Sequence, residues 1–248
     1  MINRIVGLVI ALWLVPICMA EGVLSIQYRD KPPYSYEKDG KPAGFLIERT
    51  VEVLRYAAID AEYVEVPIKR IVVDIKANKK AICSPGWYRT PDREGFAQFS
   101  LAIHKDKPHI VLANANVARK IKSNGTLKEL LSNKGFVLGR VVGVSYGPEL
   151  DAMMNSATAT VMSATVEPGD LARMIATHRA DYMLIDVEDY NFLLKNKVVD
   201  QADLTVVKFD DIPAGLTRYI MCSKNVSAET MRRINKAIQA VLSDVQAQ

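Results

Sequence analysis

Two hydrophobic periods alternate along this chain, and that alternation limits the fold more than any single motif does. A strand sends successive side chains to opposite faces, whereas a helix brings residues three and four apart onto one face. Residues 23–28, VLSIQY, follow the strand period, and so do residues 61–67, AEYVEVP. Between them Leu46, Val53 and Leu54 recur at helical spacing, with Ile47 and Val51 on the flank. Residues 68–77 read as a short amphipathic helix, and AICSPG, from Ala81, returns to a strand. Strand, helix, strand, helix, strand is the pattern of a parallel sheet covered by helices. HIVLANA at 109–115 adds a strand, and a helix is expected at 127–132.

A second series begins at Arg140 with the strand RVVGVS. Gly147-Pro148 ends it and opens the helix ELDAMMN, with proline in a first turn that tolerates a missing N–H. Then come the strand TATVMSAT and a helix with Asp170 as its expected cap. The strand DYMLID, the helix VEDYNFLLK and the strand LTVVKF follow. TRYIMCSK and a helix over 228–245 close the chain. The reading is an α/β protein of two lobes, each a mostly parallel sheet flanked by helices.

The first twenty residues belong to neither series. MINR carries one arginine, residues 5–15 have no polar side chain, and PICMA precedes Glu21. That is the charged, apolar and small-residue order of a secretory signal peptide. The apolar run falls short of the roughly 20 residues that a membrane span needs. Residues 1–20 are therefore expected to be removed after Ala20, leaving a soluble, secreted mature chain. A lipid anchor at Cys18 is the rival reading, and bulky Ile17 stands against it. Two cysteines then remain, Cys83 and Cys222. In an oxidising compartment they can pair as a disulfide; two separate buried thiols are the alternative.

Several functions are excluded by what is missing. The net charge of +4 is spread along the chain with no long run of like charges, so no nucleic-acid partner is expected. His104, His109 and His178 have no metal-like spacing and are expected on the surface or in loops. No phosphate-binding glycine loop and no nucleophile elbow occur. No metal or cofactor is implied. A leader, two α/β lobes and no catalytic constellation point to a secreted binding protein, expected to be a monomer.

Four segments, in order, resemble the bacterial extracellular solute-binding proteins of family 3. They are PPYSYEKDGKPAGF with the helix after it, TPDREGFAQFS, VVGVSYG and RADYMLIDVEDY. The resemblance covers nearly all of the chain after the leader. It implies a type II periplasmic binding fold joined by a two-segment hinge. Residues 21–112 and 213–248 would form one lobe and residues 113–212 the other. A small carboxylate-bearing solute, of the amino-acid kind, would lie between lobes that close on it. The partner would be an ABC permease or a membrane sensor.

The same resemblance assigns roles. Arg93 would grip the ligand carboxylate with its planar donor fork. Asp186, at the C-terminal end of a strand, would receive the ammonium; capping the next helix is its other reading. Trp87, Tyr88, Tyr34 and Tyr36 would wall the cleft, and the backbone at Ser145–Gly147 would hold an anionic group. Three departures bear on the ligand. Lys31 stands where many members carry an aromatic that stacks on it, Tyr88 where many carry a small side chain, and Pro148 where a Ser or Thr is usual. An enzyme on this fold, of the cyclohexadienyl dehydratase kind, and a sensory module without ligand remain the alternatives. For the enzyme, Glu94, Asp186 and Glu188 are the candidate acids or bases.

Overall fold

The computed structural model describes residues 22–246. The expected leader, its cleavage after Ala20 and the anchor at Cys18 lie outside these residues. The chain opens with β1 (Leu24–Tyr28), the hairpin β2 (Tyr36–Lys38) and β3 (Lys41–Ala43), and α1 (Phe45–Tyr56). It continues through β4 (Ala61–Glu65), α2 (Ile68–Ala77), β5 (Ile82–Tyr88), the short α3 (Pro91–Phe96) and β6 (Ala97–Lys105). It crosses to the second lobe and forms β7 (Ile110–Asn114), α4 (Ala118–Lys122), α5 (Leu127–Ser132), β8 (Val137–Val141) and α6 (Pro148–Asn155). Next come β9 (Thr160–Ala164), α7 (Pro168–Ala176), β10 (Tyr182–Ile185), α8 (Val187–Lys195) and β11 (Leu204–Val207). A second crossing returns the chain to β12 (Thr217–Ser223), α9 (Ala228–Val241) and α10 (Ser243–Gln246).

Each lobe is built on one five-stranded sheet, in the orders β4-β1-β5-β12-β6 and β11-β7-β10-β8-β9. In each, the βαβ series supplies the parallel pairs, β4-β1-β5 and β10-β8-β9. Within these two sheets the antiparallel pairs all involve β12 or β7, the strands that enter each lobe from the other. The hinge therefore sets where parallel pairing stops. Because β7 lies wholly in the second sheet, the first crossing falls between Lys105 and Ile110, a little before residue 112. The two crossings touch: the Asp106 N–H donates to the Leu216 carbonyl at 2.9 Å. Gly215 is required there, since a Cβ would come within 1.8 Å of the Asp106 carbonyl oxygen.

The cores follow from the sequence periods. In the first lobe Leu46, Val53 and Leu54 of α1 meet Ile234, Ala237 and Ile238 of α9 over Ile26 and Ile220. Ser227 caps α9 by accepting from the Thr230 N–H. In the second lobe both sheet faces are covered, one by α5 and α6 and the other by α7 and α8. A buried leucine or isoleucine contributes about 1.5–3 kcal/mol relative to exposure, so these faces dominate the folding energy. Asp170 is not the cap of α7; Glu167 holds that position, with Pro168 after it.

Cys83 and Cys222 face each other in the β5–β12 register and are joined as a disulfide. It closes a loop of 139 residues that contains the whole second lobe. A Cys83→Ser/Cys222→Ser variant is expected to lose about 2–5 kcal/mol of stability, read by denaturant unfolding. Equal unfolding midpoints for the variant and the wild type would contradict this.

Candidate functional site

The lobes meet over a group of buried charges at the C-terminal ends of β1 and β10. Lobe one supplies Arg218 from β12, with Asp106 at the hinge beside it. Arg218 is only 5% exposed. Its Nε donates to Asp106 Oδ1 at 2.7 Å, its Nη2 to the Tyr88 hydroxyl at 2.7 Å and its Nη1 to the Gly86 carbonyl at 3.2 Å. Its guanidinium lies 4.6 Å from the ring centres of both Tyr34 and Tyr88. The Tyr88 hydroxyl donates in turn to Asp106 Oδ2 at 2.7 Å. Burial opposes ionisation of both Asp106 and Arg218, but His104, Arg218 and Tyr88 together hold the Asp106 carboxyl well below its ordinary range, and Asp106 holds Arg218 above its own.

Lobe two supplies Asp186 and Asp189. Asp186 takes the N-cap position of α8 without making a side-chain cap bond. Its carboxylate faces lobe one instead. Lys31 Nζ stands 3.6 Å from Oδ2, His109 Nε2 3.1 Å from Oδ1, and Arg218 Nη2 4.0 Å from Oδ2. Asp189 is equally buried, and its Oδ1 has no hydrogen-bond partner. Burial, opposed by Lys31 and reinforced by Asp186, raises its carboxyl to about 7. Burial also lowers the Lys31 ammonium and His109. The Tyr34 hydroxyl, buried beside this group, likewise lacks a partner.

The expected site residues divide. Tyr34, Tyr36, Tyr88 and Asp186 lie at the lobe interface, with the Tyr36 ring 6.3 Å from that of Phe192 in α8. Trp87 does not wall the cleft. It packs against Ile71 and Ile75 of α2, and its indole N–H donates to the Ser84 hydroxyl, because side-chain alternation along β5 turns it away from Tyr88. Arg93 lies on the Trp87 face at 4.8 Å and donates through Nη1 to the Tyr88 carbonyl. The rest of its guanidinium has no hydrogen-bond partner among the described residues, and it makes no contact with Asp186. The anion cradle at Ser145–Gly147 is filled from within: Asp151 accepts from the Ser145 hydroxyl at 2.5 Å and the Tyr146 N–H at 2.9 Å. A helix N-terminus favours negative charge, and here the helix's own first turn provides it. Glu94 pairs with Arg89 on the surface.

Sequence reasoning missed Arg218, Asp106, His109 and Asp189. One signal was present. Arg218 is a lone charge in the otherwise uncharged strand TRYIMCS, and a buried charge needs a partner. His109 does lie in a loop, the one before β7, and His104 lies in β6; neither is on the open surface, since each lies against a buried aspartate. Among the described residues no group of His, Cys, Asp or Glu is arranged to hold a metal, and no helix is long and apolar enough to cross a membrane.

Two sheets joined by two hinge segments, with a polar cleft between them, define a two-lobed binding protein. The model of the bacterial extracellular solute-binding proteins, family 3, matches residues 24–248, and the chain belongs to that family. Comparison with curated proteins gives no match. Among solved structures, the chain is similar to the periplasmic VFT2 domain of Bordetella pertussis BvgS, at 15% identity and a TM-score of 0.67, covering 91% of this chain and 90% of that one. It is similar to the amino acid ABC transporter substrate-binding protein AbpA of Streptococcus pneumoniae bound to L-arginine, at 16% identity and a TM-score of 0.64, covering 90% of each. It is also similar to the ancestral amino acid-binding protein AncCDT-1, a precursor of cyclohexadienyl dehydratase, at 19% identity and a TM-score of 0.64, covering 90% of this chain and 91% of that one.

The raised Asp189 carboxyl gives a stability signature. The folded state holds a proton there that the unfolded state releases near pH 4, so this group's contribution falls as pH rises from about 4 to about 7. Asp189→Asn is therefore expected to raise the melting temperature more at pH 8 than at pH 4. An equal change at both would contradict the assignment.

Proposed function

We propose that this chain is a periplasmic solute-binding protein that takes a small zwitterion of the amino-acid class between its lobes and delivers it to an ABC-type permease. The observation that carries this reading is the meeting of opposite charges from the two lobes at Asp186. A solute with a carboxylate and an ammonium can replace such pairs from both sides at once, which makes its binding energy a closing energy. Asp186 is the acceptor for the ammonium. The unengaged donors of Arg93, which Tyr88 couples to Arg218 through its carbonyl and hydroxyl, are the nearest match for the carboxylate. Membership of an extracellular family and likeness to amino acid-binding folds support the solute class and the compartment.

One observation favours a second reading. Asp189, raised to about 7 beside the cleft, has the properties of a general acid. That would suit an enzyme of the dehydratase kind more than a carrier. A thermal-shift screen with amino acids, organic acids and prephenate separates the two readings. For a binding protein, an amino acid raises the melting temperature, prephenate is not turned over, and Arg93→Ala abolishes the rise. An undiminished rise in Arg93→Ala would remove Arg93 from the site, and prephenate turnover lost in Asp189→Asn would establish the enzyme.

A further inference from the structure

We infer that Lys31 is a tethered stand-in for the ligand ammonium: in the unliganded protein it occupies Asp186, latches the lobes together and must be displaced by an incoming solute. The inference rests on the reading of Asp186 as the ammonium subsite and adds to it a resident competitor.

Three observations carry it. The first is the surroundings of the Lys31 ammonium. It stands 3.6 Å from Asp186 Oδ2 and 4.3 Å above the centre of the Tyr34 ring. A carboxylate beside an aromatic face is a general recognition site for a primary ammonium. Lys31 thus brings from lobe one the group that a zwitterion would bring from solution.

The second is the anchoring of the lysine. Its N–H donates to the Ser35 carbonyl at 2.6 Å, and its own carbonyl accepts from the Tyr34 and Ser35 N–H groups at 2.9 and 3.0 Å. The backbone is fixed and only the side chain pivots, so the ammonium stays at high effective concentration near Asp186.

The third is what Asp186 lacks. It makes no cap bond to α8, and its neighbours at the interface are Lys31, Arg218 and His109. Arg218 is committed to Asp106, Tyr88 and Gly86. His109 sits on the hinge just before β7, outside the first sheet. Lys31, which also faces Asp189 of the second lobe, is therefore the cation that reaches Asp186 from lobe one without being held by an acid of lobe one. Competition follows: a solute binds only the fraction of molecules in which Lys31 has let go, and its apparent affinity falls by that fraction. Lys31 thus sets both the resting state of the cleft and the threshold for its ligand.

Small-angle X-ray scattering tests this on full mature protein unfolded, dialysed and refolded to strip any co-purified solute. Wild type, Lys31→Met, Asp186→Asn and the double variant are compared. Wild type is expected to be compact. Each single variant should shift to a larger radius of gyration, and the double variant no further than either single, because both remove one contact. Lys31→Ala should open likewise and regain the compact form with added propylammonium but not with propionate. An open wild type, unchanged scattering in Lys31→Met, or a double variant that opens by the sum of the singles would overturn the latch. The readout needs no amino acid. A thermal-shift screen in which none stabilises either wild type or Lys31→Met would overturn the solute reading alone, so the two failures are distinguishable.

Discussion

The buried pair of Arg218 and Asp106 is the interaction on which the rest of the cleft depends. It joins β12, between β5 and β6 in the first sheet, to the hinge, and through Tyr88 it reaches the short helix α3 that carries Arg93. Removing one member of such a pair leaves an uncompensated buried charge and costs about 3–5 kcal/mol, whereas exchanging both for apolar groups is often nearly neutral. The pair therefore says little about stability in itself. What it does is hold a cation at a fixed height opposite Asp186. Arg29 and Lys31 add positive charge on the first-lobe side, and burial, with Arg218 as a neighbouring cation, lowers the pKa of both. The second lobe answers with Asp186 and Asp189.

This arrangement explains how a small solute can move two lobes. Interface charges that neutralise one another across the cleft favour closure. A solute that supplies better-placed partners favours closure more, and the difference is all that binding can deliver. The departures in the sequence fit this account. Lys31, where an aromatic is usual, puts a cation on Asp186. Tyr88, where a small side chain is usual, spends its hydroxyl on Arg218 and Asp106 instead of leaving it to a ligand.

The alternating periods made the fold legible: α1, α2, α6 and α8 begin and end close to where spacing, Gly147-Pro148 and Asp186 place them. β6 and α3 were not legible, because AQFSLAIHK follows no clean alternation and its role as an edge strand is set by pairing with β12. The cleft was half legible. Motif resemblance located Asp186, but it could not show that Trp87 turns inward against α2, since one step along β5 exchanges cleft for core. Nor could it show Asp106, which is brought to Arg218 from 112 residues away. Charges that meet only through topology leave no local pattern.

The central claim is that Asp186 receives the ammonium of a zwitterionic solute. Titration calorimetry with matched pairs, each an amino acid and its analogue lacking the α-amino group, tests it in wild type and in Asp186→Asn. The account predicts a strong preference for the amino acid in wild type, by about tenfold or more for one charge-assisted hydrogen bond, and nearly equal affinities in the variant. The same preference in both proteins would place the ammonium elsewhere and contradict the account.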